Sequence, residues 1–249
     1  MEVSLNPRSH TLFHFTDSLE TLVKIIDTGF WPRYCAEDFR WYNEGLGYVS
    51  YPIVSFCDIP LTRIGEHTSF YGRFGLGMSR EWAINAGLNP VIYLSPNSEL
   101  RKSILRLAQP EHFVTPSNKS IYTDNFFEVL ALIKPLSGRM PRVDGTEFEK
   151  DFCLENEWRY TPKLPQGRKC IPIQKHRQEK NEYDRYTFDK CLLKFDLSDI
   201  SYVILETDAE YDRLFDSLGQ LGKSDDSEKS TFESLRSKVI SLERIARDF

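Results

Sequence analysis

The chain has 249 residues, of which 40% are apolar and 13% aromatic, and its formal net charge is −5. This composition is typical of a soluble globular protein with a substantial core, built as one large domain or as a domain with an appendage. The negative charge disfavours broad electrostatic binding to nucleic acid or to an anionic membrane. Because the sequence contains neither a run of 18 apolar residues nor a secretory signal pattern, we expect a cytoplasmic protein without a membrane span.

The common cofactor and metal motifs are missing from the sequence. It has no G-x-G-x-x-G after a strand, no P-loop, no H-E-x-x-H and no G-x-S-x-G. The five cysteines lie far apart and form no C-x-x-C pair, which favours reduced thiols over disulfides or a zinc site. The glycines of "GRFGLGM" are followed by no lysine or helix start, so they indicate close backbone approach rather than a phosphate loop.

The first 30 residues predict a strand that leads into a helix. "TLFHFT" alternates apolar and polar positions, whereas "DSLETLVKIIDTG" places its apolar residues at helical spacing. Asp17 and Glu20 have the separation of a capping box, and Gly29 stands where a left-handed C-terminal cap is needed.

Strands and short helices are predicted for the following segments. The aromatic stretch "RYCAEDFRWYNEGLGYVSYP" is interpreted as irregular, "IVSFC" as a buried strand, and the segment that holds His67 and Tyr71 as a loop. "FGLGMS" and "PVIYLS" are predicted strands, and "SREWAINAG" between them is a predicted helix with Ser79 as its N-cap.

The second half predicts a helical insertion followed by further strands. "NSELRKSILRLAQ" and "TDNFFEVLALIKPLSG" are predicted helices of an insertion at about residues 97–138. Segment 148–162 is predicted as a strand, "RKCIPIQKHRQEKNEYDRY" as a polar excursion, "CLLKFDL" and "SYVILET" as strands, and "DAEYDRLFDSLGQL" as a helix.

These elements favour an α+β fold, with a mixed or antiparallel sheet core and flanking helices, since they lack a strict βαβ rhythm. Residues 1–221 are predicted to form a single domain. The segment 222–231 is predicted to be a flexible linker because it contains few apolar residues. A helical tail, 232–249, is expected to pack back through Leu235, Val239 and Leu242.

The stretch "ENEWRY" mixes charged and aromatic residues in an unusual way. If it is a strand, Glu155, Glu157 and Arg159 share one face, while Trp158 and Tyr160 share the other. We expect the aromatic face to be buried in the core. The charged face then points either to solvent, where the ion pair is worth less than about 1 kcal/mol, or to a substrate.

Two further residues are candidates for chemistry. His14 lies on the first predicted strand and is either a structural histidine with satisfied hydrogen bonds or a functional one. Tyr71, beside a glycine, is either an ordinary core aromatic or a ring that stacks on a ligand.

The sequence resembles the AbiGi family of abortive phage infection proteins over nearly its whole length. The motifs that carry the resemblance are "LFHFT", "GFWPRY", "VSFCDIPL", "YGRFGLGMSREW", "ENEWRY", "LKFDLSDISYVI" and "SKVISLERIARDF". The resemblance implies a role in phage defence. The antitoxin label of the family further implies a partner protein encoded in the same defence system.

A second resemblance is to ADP-ribosyltransferase-like folds, in which a histidine, an aromatic residue and a glutamate surround the nicotinamide ribose of NAD. Carried over by order along the chain, His14 followed by Thr16 corresponds to the histidine motif, Tyr71 to the aromatic residue and Glu157 to the glutamate. This resemblance implies NAD as a substrate and no metal. A fixed carboxylate would stabilise the oxocarbenium-like transition state of nicotinamide release.

Alternatives to this assignment stay open. Glu155 competes with Glu157 for the role of the acid, and His67 could replace Tyr71. Arg159 or Arg33 could contact the pyrophosphate, because a guanidinium binds anionic oxygens with two parallel hydrogen bonds.

The sequence therefore supports two main hypotheses. In the first, the protein is a phage-defence enzyme, an ADP-ribosyltransferase or NAD glycohydrolase that acts on NAD, with a protein or nucleic acid as acceptor. In the second, it is a non-catalytic antitoxin or sensor that binds a toxin, a nucleotide or a phage protein. A weaker hypothesis is nucleic-acid binding through the basic stretch 168–185, which acidic residues interrupt.

Overall fold

The structure is a computed structural model that describes residues 10–45, 47–107, 119–141, 146–165, 167–221 and 232–248. The predicted linker 222–231 lies outside the described residues. The helices are α1 (Leu19–Thr28), α2 (Ile64–Tyr71), α3 (Arg80–Asn85), α4 (Glu99–Leu107), α5 (Lys119–Leu130), α6 (Ile173–Gln178), α7 (Lys180–Lys190), α8 (Tyr211–Leu221) and α9 (Leu242–Asp248). The strands are β1 (Thr11–Thr16), β2 (Arg33–Asp38), β3 (Tyr48–Cys57), β4 (Phe74–Ser79), β5 (Asn89–Pro90), β6 (Ile92–Leu94), β7 (Ile133–Pro135), β8 (Ser137–Pro141), β9 (Glu147–Asp151), β10 (Glu157–Tyr160), β11 (Ile171–Pro172), β12 (Ile200–Leu205) and β13 (Val239–Ser241).

Backbone contacts divide the chain into two compact units. The first unit comprises Met1–Phe30, Ser55–Leu88 and Leu193–Phe249, and the second comprises Trp31–Val54 and Asn89–Leu192. Each unit combines helices with mainly antiparallel strand pairs, so the predicted α+β class is confirmed. That residues 1–221 form a single domain stays a prediction. Within the described part of the chain, no helix has both the length and the apolar character needed to cross a membrane.

In the first unit, β1 and β4 pair antiparallel along their full length, from Thr11 opposite Ser79 to Thr16 opposite Phe74. β12 continues the sheet on the other side of β4, and β13 pairs parallel to β12. The glycines of β4 permit this close pairing, as the sequence predicts. A Cβ atom at Gly77 would lie 2.7 Å from a methyl carbon of Thr11.

The helix ends of the first unit follow local sequence signals with one correction. The N-cap of α1 is Ser18, whose hydroxyl accepts a hydrogen bond from the Thr21 N–H at 3.2 Å, so the prediction of Asp17 was wrong by one residue. Gly29 ends α1 at φ +92°, and a Cβ there would lie 2.7 Å from the carbonyl oxygen of Leu193. Ser79 caps α3 as predicted.

The segment 232–248 belongs to the first unit and packs within it, but only part of the segment is helical. Leu235 and Leu242 are buried, and the strand β13 separates them. The prediction of a helical tail was wrong for "VIS", which pairs with β12 instead, and this pairing satisfies the backbone of a β-branched segment in a sheet. "CLLKFDL" was predicted as a strand, yet it forms only a single bridge, between Leu193 and Phe30.

In the second unit, β3 pairs antiparallel with β2 and with β11. β6 pairs parallel with β7, β8 antiparallel with β9, and β10 antiparallel with β5. The aromatic stretch that was predicted to be irregular thus contains β2, and the predicted polar excursion contains β11, α6 and α7. The apolar helix predicted for "TDNFFEVLALIKPLSG" ends at Leu130. The residues after it, which were predicted to be helical, include the strand β7.

Candidate functional site

The segment "DFCLENEWRY" is not one continuous strand. β9 ends at Asp151, a 3-10 turn covers Phe152–Glu155, and β10 starts at Glu157. Asn156 separates the turn from the strand with φ +42°, a left-handed conformation that asparagine adopts more readily than most residues. Glu155 and Glu157 therefore do not occupy successive pleats of one strand, which corrects the prediction for 148–162.

The burial along β10 is the reverse of the expected pattern. Glu157 and Arg159 are buried, whereas Trp158 and Tyr160 on the opposite face are partly exposed. The prediction that the aromatic face forms the core was wrong. Charged residues can replace apolar ones inside a protein only if opposite charges and hydrogen bonds surround them, and the contacts of Arg159 meet that condition.

Arg159 is 1% exposed, and its guanidinium has a partner in every direction. Its Nε donates to Oε1 of Glu157 at 2.8 Å, and its Nη2 donates to Oε2 of the same carboxylate at 3.2 Å. Nη2 also donates to Glu37 at 2.9 Å, while Nη1 donates to the carbonyl oxygen of Ala131 at 2.7 Å. This arrangement fixes the guanidinium in the plane of the Glu157 carboxylate.

Two lysines complete the set of charges. The Nζ of Lys134 lies 2.8 Å from Glu157 Oε2 and 3.4 Å from Glu155 Oε2, and it sits 4.7 Å from the centre of the Phe152 ring. The Nζ of Lys150 lies 2.6 Å from Glu155 Oε1. We call the six charged residues the charge cluster. Its members are Glu37, Lys134, Lys150, Glu155, Glu157 and Arg159.

The charge cluster is balanced, with three acids and three bases. Burial by itself would raise the pKa of the Glu157 carboxyl, but Arg159 and Lys134 outweigh it and hold that pKa well below its usual range. The pKa of Glu155 is lowered in the same way, because Lys134 and Lys150 outweigh burial. Burial would lower the pKa values of Lys134 and Arg159, but Glu157 raises both.

A cleft of about 120 Å³ adjoins the charge cluster. Glu37 and Lys134 line the cleft, together with Trp41, Phe152 and Arg139. Neither carboxylate of the "ENE" motif is part of this lining. A small molecule in the cleft would therefore meet Lys134 and Glu37 before it reached Glu157.

His14 has the environment of a structural histidine. Its ring lies 5.1 Å from that of Phe30 and 5.5 Å from that of Phe56. Its Nδ1 is 2.8 Å from the carbonyl oxygen of Ser55, and because a carbonyl only accepts, Nδ1 carries the hydrogen. Burial lowers the pKa of His14, although the Ser55 carbonyl opposes the shift, so the ring is neutral near pH 7. Thr16 is half-buried at the end of the same strand.

Tyr71 and His67 lie on α2, so the prediction of a loop there was wrong. Their ring centres are 4.4 Å apart, and Phe15 packs on His67 at 5.6 Å. Gly72 ends the helix at φ +106°, where a Cβ would come 2.1 Å from the Thr16 carbonyl oxygen.

The structure brings some of the predicted site residues together within each unit. Glu155, Glu157 and Arg159 join in the charge cluster, but Arg33 is exposed, with its guanidinium 4.6 Å from the Trp31 ring centre. His14, Thr16, His67 and Tyr71 belong to the first unit. A common cleft for His14, Tyr71 and Glu157 stays a prediction.

Sequence reasoning missed Glu37, Lys134 and Lys150. One signal was available for Lys134, since it interrupts the apolar run "VLALIKPL", and a charge in such a run needs a buried partner. In the described ranges, no group of three or more His, Cys, Asp or Glu side chains is placed to bind a metal ion.

Comparisons with known proteins agree with one another. The family model described as "Putative abortive phage resistance protein AbiGi, antitoxin" matches residues 28–206, a range that includes the whole charge cluster. A protein of Lactococcus lactis subsp. cremoris named "Abortive phage resistance protein AbiGi" is 28% identical over 249 aligned positions, which cover 88% of this chain and 99% of that protein. No solved structure matched the chain.

Proposed function

Because the chain belongs to the AbiGi family of abortive phage resistance proteins, we propose that it serves phage defence as a non-catalytic antitoxin that binds a toxin encoded in the same defence system. The antitoxin description of the family supports this proposal directly. An antitoxin of this kind needs a stable folded surface and no reacting groups.

The charge cluster is the observation that carries the non-catalytic part of the proposal. A carboxylate stabilises a developing positive charge most strongly when its field is aimed at that charge and nearby cations do not oppose it. Both oxygens of Glu157 are already bound by the buried cations Arg159 and Lys134. Their positive charges cancel most of the field that the proposed NAD chemistry would need, whereas they suit a structural role.

Growth rescue tests the antitoxin proposal. Each gene that neighbours this one in its defence locus is expressed from an inducible promoter in a bacterial host, with and without this chain. We expect one neighbouring product to arrest growth alone, to lose its toxicity when this chain is present, and to copurify with it. If toxicity persists at equal expression and no copurification occurs, the proposal is wrong.

The alternative of an NAD-using enzyme with an ADP-ribosyltransferase-like core is tested separately. Purified protein is incubated with NAD labelled in the nicotinamide ring, with and without total cell protein and nucleic acid as acceptors. The antitoxin proposal expects no release of labelled nicotinamide above a protein-free control. Release that scales with enzyme concentration would overturn the non-catalytic proposal in favour of the enzyme.

A further inference from the structure

The strand β2 has one edge that no other strand covers in the part of the chain that the structure describes. Its six residues pair antiparallel with β3, and the opposite edge makes no backbone hydrogen bond to any described residue. In an antiparallel pair, every second residue directs its N–H and C=O groups away from the partner strand. β2 therefore presents a row of unpaired donors and acceptors, which is the arrangement that another extended polypeptide completes.

This edge of β2 is accessible to solvent over most of its length. Arg33, Cys35 and Ala36 are exposed, whereas Tyr34 between them packs inward against Tyr183. At the other end of the strand, β2 and β8 both contribute residues to the cleft of about 120 Å³. A second polypeptide can therefore approach the edge from the Arg33 end.

The charges on one face of β2 are arranged for pairing with a copy of the same strand. Because the side-chain period is two, Arg33, Cys35 and Glu37 share this face. The Arg33 guanidinium lies 4.6 Å from the Trp31 ring centre and has no ion pair among the described residues. Glu37 accepts from Arg159 through Oε2, whereas its Oε1 has no hydrogen bond or ion pair to a described residue. The strand thus carries a cation near one end and an anionic oxygen without a partner near the other.

Symmetry and charge together select one register for two copies of β2. Across a twofold axis perpendicular to the sheet, residues that face each other lie on the same face of the sheet. With Cys35 on the axis, Arg33 of each copy lies opposite Glu37 of the other, and Tyr34 lies opposite Ala36. A shift of the axis to Tyr34 or Ala36 would lose both charge pairs. Opposite charges in directly facing positions stabilise a strand pair, so the register with Cys35 on the axis is favoured.

We propose that two copies of this chain form a homodimer by antiparallel pairing of their β2 edges, with Cys35 of each copy on the twofold axis and Arg33 of each copy paired with Glu37 of the other. The inference goes beyond toxin binding and does not depend on it. The contact uses the open edge of both copies, so the assembly closes at two chains. Because the pairing runs only from Arg33 to Glu37, we expect a dissociation constant in about the micromolar range.

The mass of the full chain as a function of concentration tests the dimer. Sedimentation velocity of the reduced protein between about 1 and 200 μM spans the expected dissociation constant. We expect the mass to rise from that of one chain to that of two and to level there. A mass of one chain throughout overturns the proposal. A mass that keeps rising beyond two chains also overturns it, because such a contact does not close.

Chemical crosslinking tests the register. Cys35 is exposed, whereas the other four cysteines are buried or half-buried. Directly opposite residues of an antiparallel pair have Cβ atoms about 5 Å apart, so a bismaleimide with a short spacer should join the two Cys35 thiols. We expect a crosslinked dimer that disappears in Cys35→Ser, a change that should itself leave dimerisation intact. A dimer that is not joined through Cys35 overturns the proposed pairing.

Two variants and one matched control locate the interface. Arg33→Glu replaces two attractions by two repulsions and should weaken dimerisation at least about fivefold. Cys35→Lys places two ammonium groups at the axis and should abolish it. Arg185→Glu makes the same charge change at an exposed position of α7 and should leave dimerisation unchanged. Melting temperatures show whether each variant is folded, and if Cys35→Lys is not, Arg33→Glu decides.

Dimerisation that tolerates both Arg33→Glu and Cys35→Lys overturns the proposal, because the contact then lies elsewhere. Hydrogen exchange distinguishes the other occupant of the edge. If the chain stays monomeric and a copurified toxin slows exchange of the β2 amides, a strand of the toxin occupies this edge in place of a second copy, and the proposal is wrong.

Discussion

Arg159 and Glu157 form a two-pronged ion pair in the interior of the second unit, with N–O distances of 2.8 and 3.2 Å. The two residues are two positions apart on β10, so their side chains leave the strand on the same face. Lys134 binds the second oxygen of the same carboxylate. The glutamate that the sequence suggests as a catalytic acid thus lies in a buried network of ion pairs.

Glu157→Gln should destabilise the protein by about 3–5 kcal/mol, because it leaves the buried charges of Arg159 and Lys134 without their main partner. An exposed strand glutamate, which the sequence left open, would cost no more than about 0.5 kcal/mol. Chemical denaturation followed by circular dichroism measures the difference in the free energy of unfolding.

Glu149→Gln is the matched control for that experiment. Glu149 also lies on a strand, but its side chain is 73% exposed, and its only ion pair among the described residues is with the exposed Arg139. We expect its unfolding free energy to stay within about 0.5 kcal/mol of the parent value. If the two variants unfold alike, Glu157 is not buried in an ion-pair network.

Arg159→Lys separates geometry from charge. Lysine keeps the positive charge but cannot donate to Glu157, Glu37 and Ala131 at once, since it lacks the planar fork of the guanidinium. We expect a loss of about 2 kcal/mol or more, with a lower unfolding midpoint in urea. A lysine variant as stable as the parent would show that charge alone, without the fork, stabilises the site.

Local signals in the sequence predicted the elements that local interactions decide. β1, α1, β4 and α3 follow from alternation, helical spacing, a serine cap at Ser79 and the glycines of β4, all of which act within a few residues. For the N-cap of α1, the predicted residue, Asp17, was one position before the observed one, Ser18. Such signals need no knowledge of distant partners.

The charge cluster could not be predicted in this way, because its partners are distant in sequence. Glu37 is 122 positions from Arg159, and Lys134 is 21 from Glu155. Without them, the alternation in β10 indicates a buried aromatic face, which is the reverse of what the structure has. α7 was missed for a related reason. Its buried face is formed by Tyr183, Asp184 and Thr187, and only the first of these carries a large apolar surface.

The lowered pKa values of His14 and His176 predict that the protein loses stability as the pH falls below about 6.5. Burial lowers the pKa values of both His14 and His176. For His176, Asp184 opposes the shift, while the positive charges of Lys180 and Arg177 add to it. In the pH range between the lowered folded pKa values and the unfolded value, the unfolded chain binds more protons than the folded one. The unfolding free energy therefore decreases as pH falls through that range.

Thermal denaturation between pH 7.5 and pH 5.5 measures this effect. We expect the melting temperature to decrease toward pH 5.5, and the double variant His14→Gln/His176→Gln to flatten the pH dependence. His10→Gln is the control, because His10 is exposed. A pH profile that changes equally in the control and the double variant would exclude His14 and His176 as its source.

Gly77→Ala tests the close pairing in the first unit, where the sequence predicted that glycines of β4 permit backbone approach. A Cβ at Gly77 would lie 2.7 Å from a methyl carbon of Thr11 and 2.8 Å from a ring carbon of Phe13, both on the paired strand β1. Because β4 also pairs with β12 on its other side, it cannot shift freely to relieve the contact. We expect a loss of about 1–3 kcal/mol in unfolding free energy.

Gly65→Ala is the control, and we expect it to increase the unfolding free energy. A Cβ on this glycine of α2 meets nothing within 4 Å, and alanine favours the helix by about 0.5–1 kcal/mol. If Gly77→Ala is as stable as Gly65→Ala, the space beside Gly77 is wide enough for a Cβ, and the close contact between β1 and β4 at this position is wrong.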